Sequence, residues 1–294
     1  IKYKPCSGPT QWADSNVFYE RLVKTYSASE VRKHVAEFVY VPFFDSSVPC
    51  IPLGQVVNIF NPVERAQELI SHVSDSLEKT AEELVLDVVS NTGVLVGITG
   101  SMLPKIHNPD YSDMDFVVYG SKSSLEVVEY ISSNQYTYRP LSDGKLKIWA
   151  ERAAVSTGLV PRDALRFYRN WRRGVYSGRE YSFTYNDGIY RDVLLMPAFK
   201  TVGAVRAVVD VYGDIDALNY PSLAHVLSYR ILGSRAKIPY DVTYILSYDA
   251  LYTAALYEGG VFEVNGLLQC SEHIGLCRVV LGVHEYRGLM RYLD

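Results

Sequence analysis

Two acids one residue apart inside an apolar run, Asp113-Met114-Asp115-Phe116-Val117-Val118-Tyr119, constrain this chain more than any other feature. The run reads as a strand. Strand side chains alternate between faces, so Asp113 and Asp115 project together, about 6.6 Å apart along the chain, while Met114 and Phe116 point into the core. Aspartate is disfavoured in strands, and like charges on one face repel. A compensating cation is therefore expected, with a plain solvent-exposed face as the alternative. Two carboxylates held this way can clamp divalent cations about 3.5–4 Å apart, an arrangement suited to phosphoryl and nucleotidyl transfer.

A second apolar strand, expected over 93–99, runs into Gly100-Ser101. A glycine-serine turn lets the backbone approach a polyphosphate closely. Gly100 and Ser101 are thus candidates for binding nucleotide β- and γ-phosphates through N–H and hydroxyl groups. A helix expected to start near Ser101 would add its positive end. A bare strand-to-helix turn would use the same residues. Lys105 and His107 lie between the turn and the acids, where either could meet phosphate or solvent.

Gly-Ser, eleven intervening residues, then Asp-x-Asp followed by apolar residues resembles the signature of the polymerase-β nucleotidyltransferase superfamily. Gly100, Ser101, Asp113 and Asp115 match it one by one. His107-Asn108-Pro109 and the trailing Val118-Tyr119-Gly120 resemble, more narrowly, an archaeal family of predicted nucleotidyltransferases. Looser matches extend to the opening Ile1-Lys2-Tyr3-Lys4-Pro5 strand and to Trp171-x-Arg173-Gly174. The resemblance implies an α+β fold: a polymerase-β-type core, a mixed sheet flanked by helices, with a small C-terminal β domain. It implies transfer of a nucleoside monophosphate from an NTP to an acceptor hydroxyl, with release of pyrophosphate. Asp113 and Asp115 would hold Mg²⁺ or Mn²⁺. A third carboxylate would ligate metal and act as general base. Asp192, read as part of an apolar strand before Pro197, is the candidate, with Glu180, Asp187 and Asp210 as substitutes. Asp187 also suits a turn, and Asp210 a strand boundary.

Arg162, Arg166, Arg169, Arg172 and Arg173 recur at helical spacing, interleaved with Phe167, Tyr168 and Trp171. One helical face of this kind could grip a nucleic-acid backbone, which makes Arg166, Arg169 and Arg173 candidates for binding an RNA or DNA acceptor. A solvated, salt-bridged face is the alternative. An adaptor with a degenerate site, binding nucleic acid or protein, is the rival reading of the whole chain.

At 294 residues the chain suggests two domains, and 48% hydrophobic residues suit a full core. The sequence divides into a segment over 1–60, a catalytic domain over 61–200 and a β domain over 201–294. No apolar run reaches the roughly 20 residues of a membrane span, and no signal-peptide pattern is visible. The first residue is not Met, so a trimmed start is expected. The net charge of -4 gives no general affinity for nucleic acid. Four cysteines point to a cytoplasmic protein. Cys270, His273 and Cys277, with Cys6 or Cys50, could bind zinc, against buried thiols or disulfides.

Local signals complete the reading. Ser27-Ala28-Ser29-Glu30 predicts a helix to about Phe38, and Asn61-Pro62 opens another. Further helices are expected over 74–89, 123–132 and much of 140–180. Asn186-Asp187-Gly188 predicts a hairpin joining 180–185 to 189–196. Strands are expected over 205–212, 225–232, 242–247 and 278–283.

Overall fold

The computed structural model describes residues 3–10, 12–14, 17–23, 33–35, 37–234 and 237–293. In chain order the strands and helices begin with β1 (Tyr3–Cys6), β2 (Trp12–Asp14), β3 (Val17–Arg21), β4 (Phe38–Val41) and β5 (Ser46–Pro49). Then follow α1 (Pro62–Ser71), α2 (Ser76–Thr92), β6 (Gly97–Ile98), β7 (Met114–Tyr119), α3 (Ser121–Ser133), α4 (Asp143–Thr157) and α5 (Pro161–Leu165). The remainder is β8 (Arg173–Tyr176), β9 (Arg179–Asn186), β10 (Lys200–Tyr212), β11 (Ser222–Ser234), β12 (Val242–Ser247), α6 (Thr253–Glu258), β13 (Gly260–Ser271), β14 (Leu276–Leu281) and β15 (Leu289–Tyr292).

Two compact units share the chain. The first comprises Ile1–Lys24, Val56–Lys145 and Tyr168–Gly188; the second comprises Thr25–Gln55, Leu146–Phe167 and Ile189–Asp294.

In the first unit, Asn61 opens α1 by accepting the Val63 amide at 2.9 Å, with Pro62 in the first turn. Pro lacks the amide that a first turn leaves unpaired, so this start is cheap. Asp75 caps α2 in the same manner, and Gly93, at φ +73°, ends it. The neighbouring sheet runs β6-β7-β9-β8, with β7 and β9 parallel and the outer pairs antiparallel. Register pairs Met114 with Tyr181, Phe116 with Phe183 and Val118 with Tyr185. All six are buried, and the Phe116 and Phe183 rings stack at 5.2 Å. That apolar face anchors the sheet and leaves the alternate residues of β7 and β9 for the other side.

In the second unit, β10, β11, β12, β14 and β13 close into a five-stranded barrel through the pairing of β13 back to β10. Among the described residues of this unit, β12 and β14 pair in parallel and the other pairs are antiparallel; β15 adds to β13. Val205, Ala207, Val209, Phe262, Val264, Val279 and Leu281 fill the core. The β4–β5 hairpin is tied to the barrel by Arg278, whose guanidinium lies over the rings of Phe43 and Phe199 and donates to Gln269 Oε1.

The fold class expected from the sequence is overturned. The chain is mostly strands, 28% of it is helical, and it contains a closed five-stranded barrel. It is not a polymerase-β core of a mixed sheet flanked by helices. Helix within 140–180 is confined to α4 and α5, and the hairpin partner of β9 is β8, through the Ser177-Gly178 turn, rather than 189–196. The helix expected over 27–38 falls largely on residues outside those described, and Phe38 opens β4. Of the opening strand, Ile1 and Lys2 also lie outside them; β1 begins at Tyr3.

Candidate functional site

Asp115, Ser182 and Arg173 form a row across β7, β9 and β8, since Asp115 is in register with Ser182 and Ser182 with Arg173. Ser182 Oγ donates to Asp115 Oδ1 at 2.6 Å. Asp113 and Glu180 each precede the Met114–Tyr181 register pair, so they lie side by side where the two parallel strands begin. Asp113 stands just before β7 rather than within it.

The turn after β6 closes over this row. Thr99 N–H donates to the Asp115 carbonyl at 2.8 Å. Gly100 follows at φ +63°, and a Cβ there would stand 2.1 Å from Asp115 Oδ2. Both facts demand glycine: the conformation is left-handed and the space belongs to a carboxylate. The Gly100 and Ser101 amides donate to no acceptor among the described residues. Successive backbone amides left without an acceptor can together face an anion.

Charge in the row is partly balanced by the protein itself. Arg173 Nη2 is 2.8 Å from Asp113 Oδ2 and 3.7 Å from Glu180 Oε2; Lys145 Nζ is 2.7 Å from Glu180 Oε1. The cation expected from the repulsion of acids is, for Asp113, Arg173.

Other candidates take different places. Ser101 is buried, its Oγ 3.5 Å from Ser112 Oγ, and the turn over 100–105 leads into no helix. Lys105, at φ +58°, pairs with Glu68. Asp192 belongs to the second unit, in an exposed turn where its Oδ1 accepts the Leu194 amide at 3.0 Å. It is not in a strand, and the burial argument for it therefore falls. The single arginine face does not form either. α5 ends at Leu165; Arg166 leaves it to lie 4.6 Å over the Tyr292 ring, Arg169 donates to the Tyr168 carbonyl, and Arg173 opens β8. Arg162 and Arg166 belong to the second unit, Arg169, Arg172 and Arg173 to the first. Cys270 and Cys277 form a disulfide between paired positions of β13 and β14, which removes them as zinc ligands.

Glu180, Ser182 and Lys145 complete the row, and of these only Glu180 was a substitute candidate from sequence. The alternation Glu180-Tyr181-Ser182-Phe183 carried the signal, placing the two polar residues on one strand face. A second cluster, Asp75, Glu78 and His107, brings ligand atoms within 4.8 Å of one another. Its groups already serve the protein: Asp75 caps α2 and meets His107 Nε2 at 2.8 Å, while Glu78 pairs with Arg65 and accepts the Ser74 amide. Burial works to raise the Asp75 carboxyl, but the Glu78 amide, His107 and the Leu77 amide hold it below its ordinary value. His107 thereby fastens the loop carrying Gly100 and Ser101 to the start of α2.

The carboxylate oxygens of Asp113, Asp115 and Glu180 are hard donors of the kind Mg²⁺ and Mn²⁺ take, but as they stand they are held by Arg173, Ser182 and Lys145, and among the described residues it is Asp75, Glu78 and His107 that bring three ligand atoms within 4.8 Å of one another. No helix among the described residues is long and apolar enough to cross a membrane. In comparison with known proteins, no family model matches the chain, and no curated protein or solved structure shows significant similarity to it.

Proposed function

We propose that the first unit carries out metal-dependent nucleotidyl transfer, moving an NMP from an NTP to an acceptor hydroxyl. One observation carries this reading: Gly100 packs directly against the Asp115 carboxylate, and the Gly100 and Ser101 amides have no acceptor among the described residues. A triphosphate could meet the amides, and Asp113 and Asp115 are the residues that would hold a divalent cation near it. Mg²⁺ or Mn²⁺ would supply charge stabilisation for the departing pyrophosphate. Asp113 and Asp115 would hold the cation, and Ser182, donating to Asp115 Oδ1, keeps that carboxylate oriented. Glu180, in place of Asp192, accepts the acceptor's proton. The acceptor oxygen then bonds to the α-phosphorus, the bond from that phosphorus to the bridging oxygen breaks, and pyrophosphate leaves with the electron pair.

The acceptor is proposed as a hydroxyl, nucleic acid included, although the helical arginine face that favoured RNA or DNA does not form. A cytoplasmic setting, where NTPs are supplied, belongs to the same proposal. The test is incubation with Mg²⁺ and NTPs labelled at the α- or γ-phosphate, together with cellular RNA and lysate. Label should move from the α-position alone into a macromolecule or small alcohol. Transfer of the γ-label, or of neither, would contradict the reading.

A second reading draws on the Arg173–Asp113 and Lys145–Glu180 pairs. Acids already neutralised by side chains need no metal, which favours a binding adaptor without turnover. In the same incubation an adaptor would retain a partner and transfer no label.

A further inference from the structure

We infer that Asp75, Glu78 and His107 of the first unit bind a divalent transition metal of the Zn²⁺ class, which pins the 100–107 loop to the start of α2. None of the three has a part in the nucleotidyl-transfer reading, so either proposal can fail alone.

Two separate stretches of chain bring the groups together. Asp75 caps α2 and Glu78 lies in its first turn. His107 reaches them from the loop, with Nε2 2.8 Å from Asp75 Oδ2 and 4.0 Å from Glu78 Oε1. One ligand atom of each residue thus falls within 4.8 Å of the other two. Ligands of a tetrahedral Zn²⁺ stand about 3.4 Å apart, so small side-chain rotations close the set.

The bonds these residues already make leave a donor free on each. Asp75 Oδ1 accepts the Leu77 and Glu78 amides, which leaves Oδ2 to face His107. Glu78 Oε2 accepts the Ser74 amide, while Oε1 takes Arg65 and, as a carboxylate oxygen, keeps a second lone pair. Such outer bonds fix the direction of metal ligands. Charge points the same way. Arg65 brings one positive charge to two carboxylates and is shared with Glu68.

The histidine supplies an independent observation. Its side chain is 5% exposed, and its Nδ1 is buried without a hydrogen-bond partner. Buried polar atoms are nearly always paired, and an orphan marks a missing water or ion. No protein group holds the proton on Nε2 by accepting or donating at Nδ1. With the proton on Nδ1, the Nε2 lone pair faces two carboxylates, an arrangement that a cation between them makes favourable. The neutral ring keeps its single proton and is the form that binds metal. One imidazole nitrogen and two carboxylate oxygens suit Zn²⁺ rather than Mg²⁺, and water completes the set from the side of Asp75, which is 26% exposed.

The test frees the full chain of metal with a chelator and titrates it with Co²⁺, a spectroscopic stand-in for Zn²⁺. Excess Mg²⁺ is present to occupy sites built from carboxylates alone. Wild type should gain the visible band of tetrahedral Co²⁺ and should melt at a higher temperature with Zn²⁺. Asp75→Asn should stay folded without metal, because Asn caps a helix as well as Asp does. It should bind Co²⁺ at least about 100-fold more weakly, since even the partners behind metal ligands are worth about 10–100-fold. His107→Gln should lose binding to the same extent, and Asp115→Asn should bind as wild type does. Wild type without a band or a melting shift, or binding that survives in Asp75→Asn, overturns the inference. So does binding lost in Asp115→Asn, or an intense near-ultraviolet thiolate band, which would put the metal at Cys6 or Cys50.

Discussion

The α-carbon of Gly100 rests against the carboxylate of Asp115 so closely that a Cβ would stand 2.1 Å from Oδ2. Gly100→Ala therefore meets two penalties, a left-handed φ of +63° and a steric overlap with an acid. A loss of about 1–3 kcal/mol of stability is expected from the backbone and displacement terms together. A guanidinium melt measures it. Calorimetry should show nucleotide binding falling out of proportion to stability, because the displaced group is Asp115.

Glu180 and Asp192 separate cleanly. Glu180→Gln is expected to lower turnover by about 10²-fold or more, the usual cost of losing a general base. Asp192→Asn, in its exposed turn, should leave turnover within a factor of two (roughly the scale of a neutral surface change). Rates of α-label transfer decide between them.

The Cys270–Cys277 disulfide closes a short loop, with a sequence separation of 7. Constraining so short a loop contributes about 2 kcal/mol by the chain-entropy relation. Replacing both cysteines by Ala should lower the denaturation midpoint accordingly. Mass analysis under non-reducing conditions should find Cys6 and Cys50 as free thiols.

Asp75 links stability to pH. Its carboxyl is held below the ordinary value in the folded chain, so protons bind the unfolded state first. Its contribution is present above the ordinary aspartate value of about 3.9 and is lost as pH falls through the lower, folded value. Asp75→Asn should flatten the acid limb of a Tm-against-pH curve below about pH 4. Asp75→Ala should cost about 1 kcal/mol more at neutral pH through loss of the cap.

Legibility in the sequence tracked the range of the interactions. Asn61-Pro62 and Gly93 announced helix ends because caps are local, and the apolar strand around Asp115 was readable from alternation. The barrel was not, since its closure pairs residues 200–211 with 260–270, and nothing local specifies that partnership. Arg169 to Arg173 misled because three- and four-residue spacing also arises where chain turns from a short helix into a strand. Arg173 finds its acid 60 residues away, at Asp113, a contact that the β7–β9 and β8–β9 pairings create together. Asp192 misled through its apolar neighbours Val193, Leu194 and Leu195, of which Leu194 and Leu195 are exposed.

Asp113 and Asp115, under the Gly100–Ser101 turn, are proposed to hold a metal-bound triphosphate, with Glu180 beside them as the base. Crystals grown with Mn²⁺ and a non-hydrolysable NTP analogue test it most directly, through anomalous scattering at the manganese edge. The expected result is an anomalous peak at Asp113 and Asp115, phosphate oxygens on the Gly100 and Ser101 amides, and Arg173 turned off Asp113. Saturating Mn²⁺ and nucleotide with no peak at the acids, and Arg173 still on Asp113, would contradict it.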